Sequence, residues 1–155
     1  MVCQIPFYGA KWYLLFATLI KAKTNSLYSH CSIQINDYIY ESRILSGATK
    51  THVNERHLKK KPKLSVNMEI SKYEATILIR KLESVLGSRY DYLGAILGYW
   101  GKSIQKDKWF VCTEVPNFYF LYYLNEISGI KTLLSPKELY LKCFWYTRGL
   151  NEKGV

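Results

Sequence analysis

The sequence predicts an α+β fold, an antiparallel sheet with helices packed on it. Three observations lead there. From His30 to Ile35 apolar and polar residues alternate, Asn36-Asp37 interrupts them, and 38–41 resumes as Tyr-Ile-Tyr-Glu, which is a strand, a two-residue turn and a returning strand. Ser71 and Glu74 form a capping box ahead of an apolar run with helical spacing that ends at Gly87. Ser135-Pro136-Lys137-Glu138 repeats the same start with proline at the first helical position, where its missing N–H costs nothing. At 155 residues the chain is long enough for one core and too short for a separate cofactor domain, so residues 1–155 are expected to form a single domain.

The elements follow in order. Residues 12–23 carry Leu15, Leu19 and Ala22 at helical spacing, and Asn25-Ser26 ends that helix. The strand from His30 then places Cys31, Ile33 and Ile35 on one face. With Asn36-Asp37 as a two-residue loop, 35 pairs with 38, 33 with 40 and 32 with 41. Tyr38 and Tyr40 thereby join the buried face. Glu41 stands opposite Ser32 and diagonal to His30 on a polar face, about 7–8 Å away between backbone positions. Residues 43–64, with Gly47, His52, His57 and Pro62, read as a long basic surface loop, followed by a short strand over 64–68. The capped helix from Ser71 aligns Ala75, Leu78, Ile79, Leu82, Val85 and Leu86. A short helical piece over 92–99 and a polar loop lead to 109–111, which enters the segment 112–125. After the helix that starts at Ser135, residues 143–147 (Cys-Phe-Trp-Tyr-Thr) read as a final strand.

Composition excludes several classes. Hydrophobic residues make up 48% of the chain and aromatics 15%, which excludes intrinsic disorder. The net charge of +10 attracts anionic surfaces and polymers, but no helix-turn-helix, zinc finger or single-strand-binding aromatic code accompanies it, so no specific nucleic-acid partner is expected. Lys59, Lys60, Lys61 and Lys63 supply much of the excess, as a solvated run with at most a weak contact to anionic surfaces. Cys3, Cys31, Cys112 and Cys143 are scattered, with no Cys-x-x-Cys pair and no histidine tract, so neither a metal nor any other cofactor is expected. Without a signal peptide they read as reduced thiols in a cytoplasmic protein. The apolar stretch 12–20 is far below the roughly 20 residues needed to cross a bilayer.

One constellation carries chemistry. A cysteine is a nucleophile only as thiolate, and an imidazole oriented by a carboxylate is a common way to make one. His30 and Glu41 share a face of the predicted hairpin, and Cys112 precedes a helical segment. Pro116 confines that helix to a start near Thr113, which leaves Cys112 at its N-terminal edge, where free N–H groups favour a thiolate and an oxyanion. His52 and His57, five residues apart, do not share a helical face and read as surface residues.

The segments Ser29-His30-Cys31-Ser32-Ile33, Ile39-Tyr40-Glu41-Ser42, Leu86-Gly87-Ser88-Arg89-Tyr90-Asp91, Val111-Cys112-Thr113-Glu114-Val115 and Ser135-Pro136-Lys137-Glu138-Leu139, in that order, resemble the circularly permuted NlpC-type papain-like proteins of the YiiX-like branch. That branch shows Ser-His-Val-Gly-Ile, a Glu-Ala pair at the end of the next strand, Gly-x-x-Tyr-Asp, Cys-Ser-Glu-Leu-Val and Ser-Pro-x-Asp-Leu. In its unpermuted relatives the cysteine precedes the histidine. The resemblance implies a permuted papain-like fold, with Cys112 as nucleophile, His30 as general base and then acid, and Glu41 as the group that orients His30. It also implies that Tyr28 and Tyr90 could line the cleft. Ser32 stands where the family has a small glycine, and no Gly-Asp strand is apparent over 2–11.

The implied activity is a cysteine peptidase or amidase acting through an acyl-enzyme on peptides, cell-wall peptides or lipid acyl groups. A cell-wall target would need a route out of the cytosol such as phage lysis. Two alternatives stay open: a lipid acyltransferase or thioesterase on the same fold, and a catalytically silent, virus-encoded binding protein. The natural substrate and the oligomeric state are not encoded in readable form.

Overall fold

A computed structural model of the chain describes residues 1–9, 22, 25, 27–91, 109–113, 115–116 and 135–152. The expected helices over 12–23 and 92–99 lie outside them, apart from Ala22, as does the stretch 117–125. Among the described residues the architecture is α+β: an antiparallel main sheet, a short two-stranded parallel ribbon and three helices.

The central strand is β1 (Val2–Tyr8), which the sequence hid. Cys3, Ile5 and Phe7 alternate inward as a strand should, but Pro6 lies in the middle of the run and argues against a central position. The register resolves the conflict. β2 (His30–Cys31) and β3 (Ile33–Ile35) pair with β1 at Tyr8↔His30, Phe7↔Cys31, Gln4↔Gln34 and Cys3↔Ile35. These pairs belong to a single ladder, interrupted only at Ser32. Pro6 accepts a hydrogen bond from the Ser32 N–H at 3.1 Å and has no N–H to return, so the ladder breaks where its donor is missing. On the other side of β1 runs β6 (Leu64–Glu69), paired from Val2↔Glu69 to Phe7↔Leu64.

The hairpin forms with the expected register. β4 (Tyr38–Arg43) pairs with β3 at Ile35↔Tyr38, Gln34↔Ile39 and Ile33↔Tyr40, and Asn36 takes φ 53°, the left-handed conformation such a loop needs. Tyr38 departs from expectation. It is 42% exposed because the sheet outruns its helical cover at the hairpin tip, where the Lys50 ammonium lies 4.5 Å from the ring centroid.

The expected long loop over 43–64 is instead structured. β5 (Gly47–His52) pairs with β4 from Arg43↔Gly47 to Tyr38↔His52, and α1 (Val53–Lys59) follows, with the His52 imidazole accepting from the Asn54 N–H. Neither element has a hydrophobic period to read. β5 leaves Lys50 and His52 at least partly in solvent, and the buried residue of α1 is an arginine, Arg56. The lysine run is likewise held rather than loose. Lys59 pairs with Glu55 at 2.7 Å, Lys60 Nζ donates to the Gly9 carbonyl at 2.6 Å, and the Lys63 N–H donates to the Phe7 carbonyl at 2.8 Å. Lys61 and Lys63 keep exposed side chains.

α2 (Lys72–Ser84) starts on the Ser71–Glu74 capping box and buries Ala75, Leu78 and Leu82 against the sheet face that carries Ile5, Ile33 and Met68. Ile79 is half-buried and Leu86 is exposed, at the flank of that stripe. β7 (Arg89–Tyr90) and β8 (Trp109–Phe110) form the parallel ribbon. α3 (Pro136–Glu152) opens on the predicted box, with Ser135 N–H to Glu138 Oε2 at 2.6 Å and Glu138 N–H to Ser135 Oγ at 3.2 Å. The strand expected over 143–147 is part of α3. Local β-propensity loses there to packing, because Leu139 and Cys143, one helical turn apart, both reach the core.

Gly47 ties the main sheet to the ribbon. It has φ +65°, and a Cβ there would lie 2.1 Å from the Ser88 carbonyl oxygen, which accepts a hydrogen bond from the Ala48 N–H at 2.8 Å. Gly87 has φ +78° with open space around it. Gly87→Ala is therefore expected to cost about 1–2 kcal/mol, the left-handed conformation alone. Gly47→Ala should cost more, since the Ser88 backbone must also move. Urea denaturation of both variants checks the ranking, and equal losses would refute it.

Candidate active site

His30, at the start of β2, faces away from the apolar core on the same side as its partner Tyr8. Part of the face expected to be polar is buried, while His30 keeps some exposure. Glu41 and Ser32 have no exposure, and Tyr8 and Ile39 beside them are equally covered. A second interior layer therefore exists, and a charged residue reaches into it from α1. Arg56 forms a bidentate pair with Glu41, Nε to Oε1 at 2.6 Å and Nη2 to Oε2 at 3.0 Å, while its guanidinium carbon lies 4.6 Å from the Tyr8 ring centroid. Arg43 Nε lies 3.6 Å from Oε1.

Glu41 in turn holds the histidine. His30 Nε2 and Glu41 Oε2 are 2.7 Å apart, and the Tyr8 ring lies against the imidazole with centroids 5.6 Å apart. With Nε2 occupied by Glu41, Nδ1 is the ring nitrogen left for the neighbouring Cys112 thiol, which lies close enough to favour the charged imidazole. The three residues singled out from the sequence thus come together, with the imidazole between the thiol and the carboxylate.

The fold delivers Cys112 by a specific device. The β3–β4 ladder ends at Ile33↔Tyr40, and continuing its register would pair Cys31 with Ser42. Both side chains instead reach the end of β8 and the turn after it: Ser42 Oγ donates to the Phe110 carbonyl at 2.7 Å, and Cys31 Sγ to the Cys112 carbonyl at 3.5 Å. Cys112 and Thr113 form a turn, and Val115 and Pro116 are helical, so Pro116 falls where a first-turn proline is tolerated. Glu114 lies outside the described residues.

Electrostatics separates the four cysteines. Burial pushes Cys3 and Cys143 up to about 12 and raises Cys31 as well. Cys112 is equally buried yet moves the opposite way, well below the ordinary thiol value. The Cys31 thiol hydrogen-bonded to it is the largest cause. Burial works against the shift, and the bond to His30 and the imidazolium charge reinforce it. For His30, burial is the largest influence and disfavours its charge, but the bonds to Cys112 and Glu41 and their negative charge overcome it, raising the value to about 9. For Glu41, burial likewise opposes ionisation and is outweighed by His30 and Arg56, bringing it down to about 2. Both shifts favour a thiolate–imidazolium pair.

Tyr28 and Tyr90, offered by the sequence as possible cleft residues, both lie among aromatic or apolar neighbours. Tyr28 packs between Phe7 and Tyr140, with centroids 5.3 and 5.6 Å away, and Tyr90 is buried with Val111 and Ile44. His52 is exposed and His57 half-buried. Sequence reasoning missed Arg56, Tyr8 and the role of Cys31. The available signal for Arg56 was an arginine among the lysines of 50–63, since a planar fork is what a buried carboxylate takes up bidentately. No group of histidine, cysteine, aspartate or glutamate among the described residues could hold a metal ion. No helix among them is long and apolar enough to cross a membrane. A scan against protein-family models and a search of curated proteins found no match to this chain.

Two outcomes follow. Iodoacetamide should label Cys112 ahead of the other cysteines at pH 7, and His30→Ala should move the acid limb of that reaction up toward the ordinary thiol range. Peptide mapping across pH checks both, and first labelling at Cys3, Cys31 or Cys143 would refute the assignment.

Glu41→Ala should destabilise the fold by about 3–5 kcal/mol because it strands the Arg56 cation, and Glu41→Gln by less. In the wild type the Glu41 contribution is complete above pH 4.5 and lost as pH falls toward about 2. The His30 contribution is complete below pH 6.5 and lost as pH rises through about 9. Because the lowered Cys112 thiol offsets the His30 loss up to the ordinary thiol range, denaturant midpoints should fall as pH drops from 4.5 toward about 2 and again as it rises through about 9, and a flat profile would contradict the buried network.

Proposed function

We propose that this protein is a cysteine-dependent hydrolase of the peptidase or amidase type on a permuted papain-like fold, acting through an acyl-enzyme. The observation that carries the reading is the His30 imidazole held between Cys112 and Glu41, Glu41 being 2.7 Å away. It is supported by chain order, since the histidine strand precedes the cysteine as in the permuted branch that the sequence resembles. It is supported further by the lowered pKa of one thiol out of four.

In this mechanism the Cys112 thiolate attacks the carbonyl carbon of an amide, and the His30 imidazolium gives its proton to the leaving nitrogen as the C–N bond breaks. Neutral His30 then takes a proton from water, which attacks the thioester, and the thiolate leaves with the imidazolium restored. Glu41 fixes the ring and balances its charge, as the carboxylate does in a catalytic triad. Arg56 is a positioning residue, touching Glu41 and not the reacting atoms. The same steps serve ester and thioester carbonyls, so peptides, cell-wall peptides and lipid acyl groups all fit the chemistry.

An activated ester tests the reading without knowledge of the substrate. On exposure to p-nitrophenyl acetate the wild type should carry one acetyl group on Cys112 by peptide mass spectrometry. Cys112→Ala should carry none there, and His30→Ala should acylate about 100-fold more slowly or worse. Circular dichroism confirms that both variants fold. Acetylation confined to lysines in the wild type would overturn the proposal.

A further inference from the structure

Cys31 has no part in the acyl transfer, yet it is the closest thiol to the nucleophile. Its Sγ donates to the Cys112 carbonyl at 3.5 Å across 81 residues of sequence, in the buried interior. Neither residue is more than 2% exposed. We propose that Cys31 is a resolving thiol, so that a hydroperoxide converts Cys31 and Cys112 into a reversible disulfide that silences the nucleophile and shields it from irreversible oxidation. The inference rests on the Cys112 thiolate invoked for hydrolysis but needs no substrate.

The chemistry balances. The Cys112 thiolate attacks one peroxide oxygen, the O–O bond breaks, and the departing hydroxide takes the proton of the His30 imidazolium as water, leaving a sulfenic acid. The Cys31 sulfur then attacks the Cys112 sulfur. The S–S bond forms as the S–O bond breaks, and the hydroxide leaves with the Cys31 proton as a second water. Two thiols are oxidised by two electrons and one peroxide is reduced to two waters. Because the Cys31 sulfur already contacts the Cys112 backbone, the two thiols start as neighbours. The division of roles also suits resolution. The attacking thiol is the one paired with an imidazole, and the resolving thiol is one that burial keeps protonated until a sulfenic acid stands beside it.

Cys3 and Cys143 are buried free cysteines as well and serve as internal controls. The protein is treated with hydrogen peroxide, quenched with N-ethylmaleimide and mapped by non-reducing mass spectrometry, then reduced with dithiothreitol and relabelled. The wild type should yield a Cys31–Cys112 cross-linked peptide and recover Cys112 labelling on reduction. Cys31→Ala, or Cys31→Ser if the alanine variant does not fold, should form no such cross-link. It should accumulate sulfinic acid on Cys112 and lose about tenfold or more of the recoverable thiol. Sulfinic acid appearing equally fast in wild type and variant, or a cross-link from Cys31 to Cys143 instead, would overturn the proposal. A protein that forms the cross-link but is not acetylated by the activated ester would sink the hydrolase reading and leave this one standing. One that is acetylated but not cross-linked would do the reverse.

Discussion

The site depends on a carboxylate that stays ionised without contact with water. Glu41 has no exposed surface, and a lone carboxylate in that position would take up a proton. Arg56 prevents this by presenting two parallel donors, and Tyr8 covers the guanidinium so that the pair sits in a dry layer. The charge so preserved faces His30, and His30 in turn faces Cys112. Each group in the series is held in its charged form by the next, and removing the arginine would unsettle a thiol it does not touch. Such a buried pair is a poor source of net stability, because desolvation consumes much of the Coulomb attraction. Its presence under a strand that carries a histidine fits a role in holding charge, not in holding the fold together.

Both faces of the sheet are therefore interior, for different reasons. One is an ordinary apolar core under α2 and α3, in which Cys31, Ile33 and Tyr40 pack with Leu78 and Leu139. The other is polar, organised around a single anion. Cys31 points to the first and His30 to the second, and the cysteine-bearing segment enters where the hairpin ladder stops. Ser42 and Cys31, released from pairing with each other at that point, supply the two anchors that hold the segment.

What could be read from the sequence follows the same division. The hairpin register, both capping boxes and the placing of His30 and Glu41 on one face were legible, because they rest on local alternation, on residue spacing and on a turn with one natural loop length, while Cys112 joined them through the family resemblance. β1 was lost to Pro6, whose missing donor is harmless only because the opposing ladder breaks at Ser32, which no local pattern announces. β5 and α1 were lost because an edge strand with threonines and lysines, and a short helix whose inward residue is charged, carry no hydrophobic period. Residues 143–147 misled in the opposite direction, since aromatic and β-branched residues favour a strand until the helix begun at Ser135 runs through them. Arg56 belongs to the site through a contact 15 residues distant in the chain, between a strand that the sequence does announce and a helix that it does not.

The separation of these contacts along the chain sets an order of assembly. His30 and Glu41 lie 11 residues apart in one hairpin, so the imidazole and its carboxylate meet by closing a short loop. The contact that fixes Cys112 spans 81 residues and waits for the ribbon and the rest of the sheet. Until then Cys112 is an ordinary thiol, protonated at neutral pH and no more reactive than its three companions. Reactivity is thus a property acquired with the last long-range contact. A ribosome-bound or misfolded chain carries the same cysteine without its danger, and labelling of Cys112 becomes a kinetic marker of completed folding.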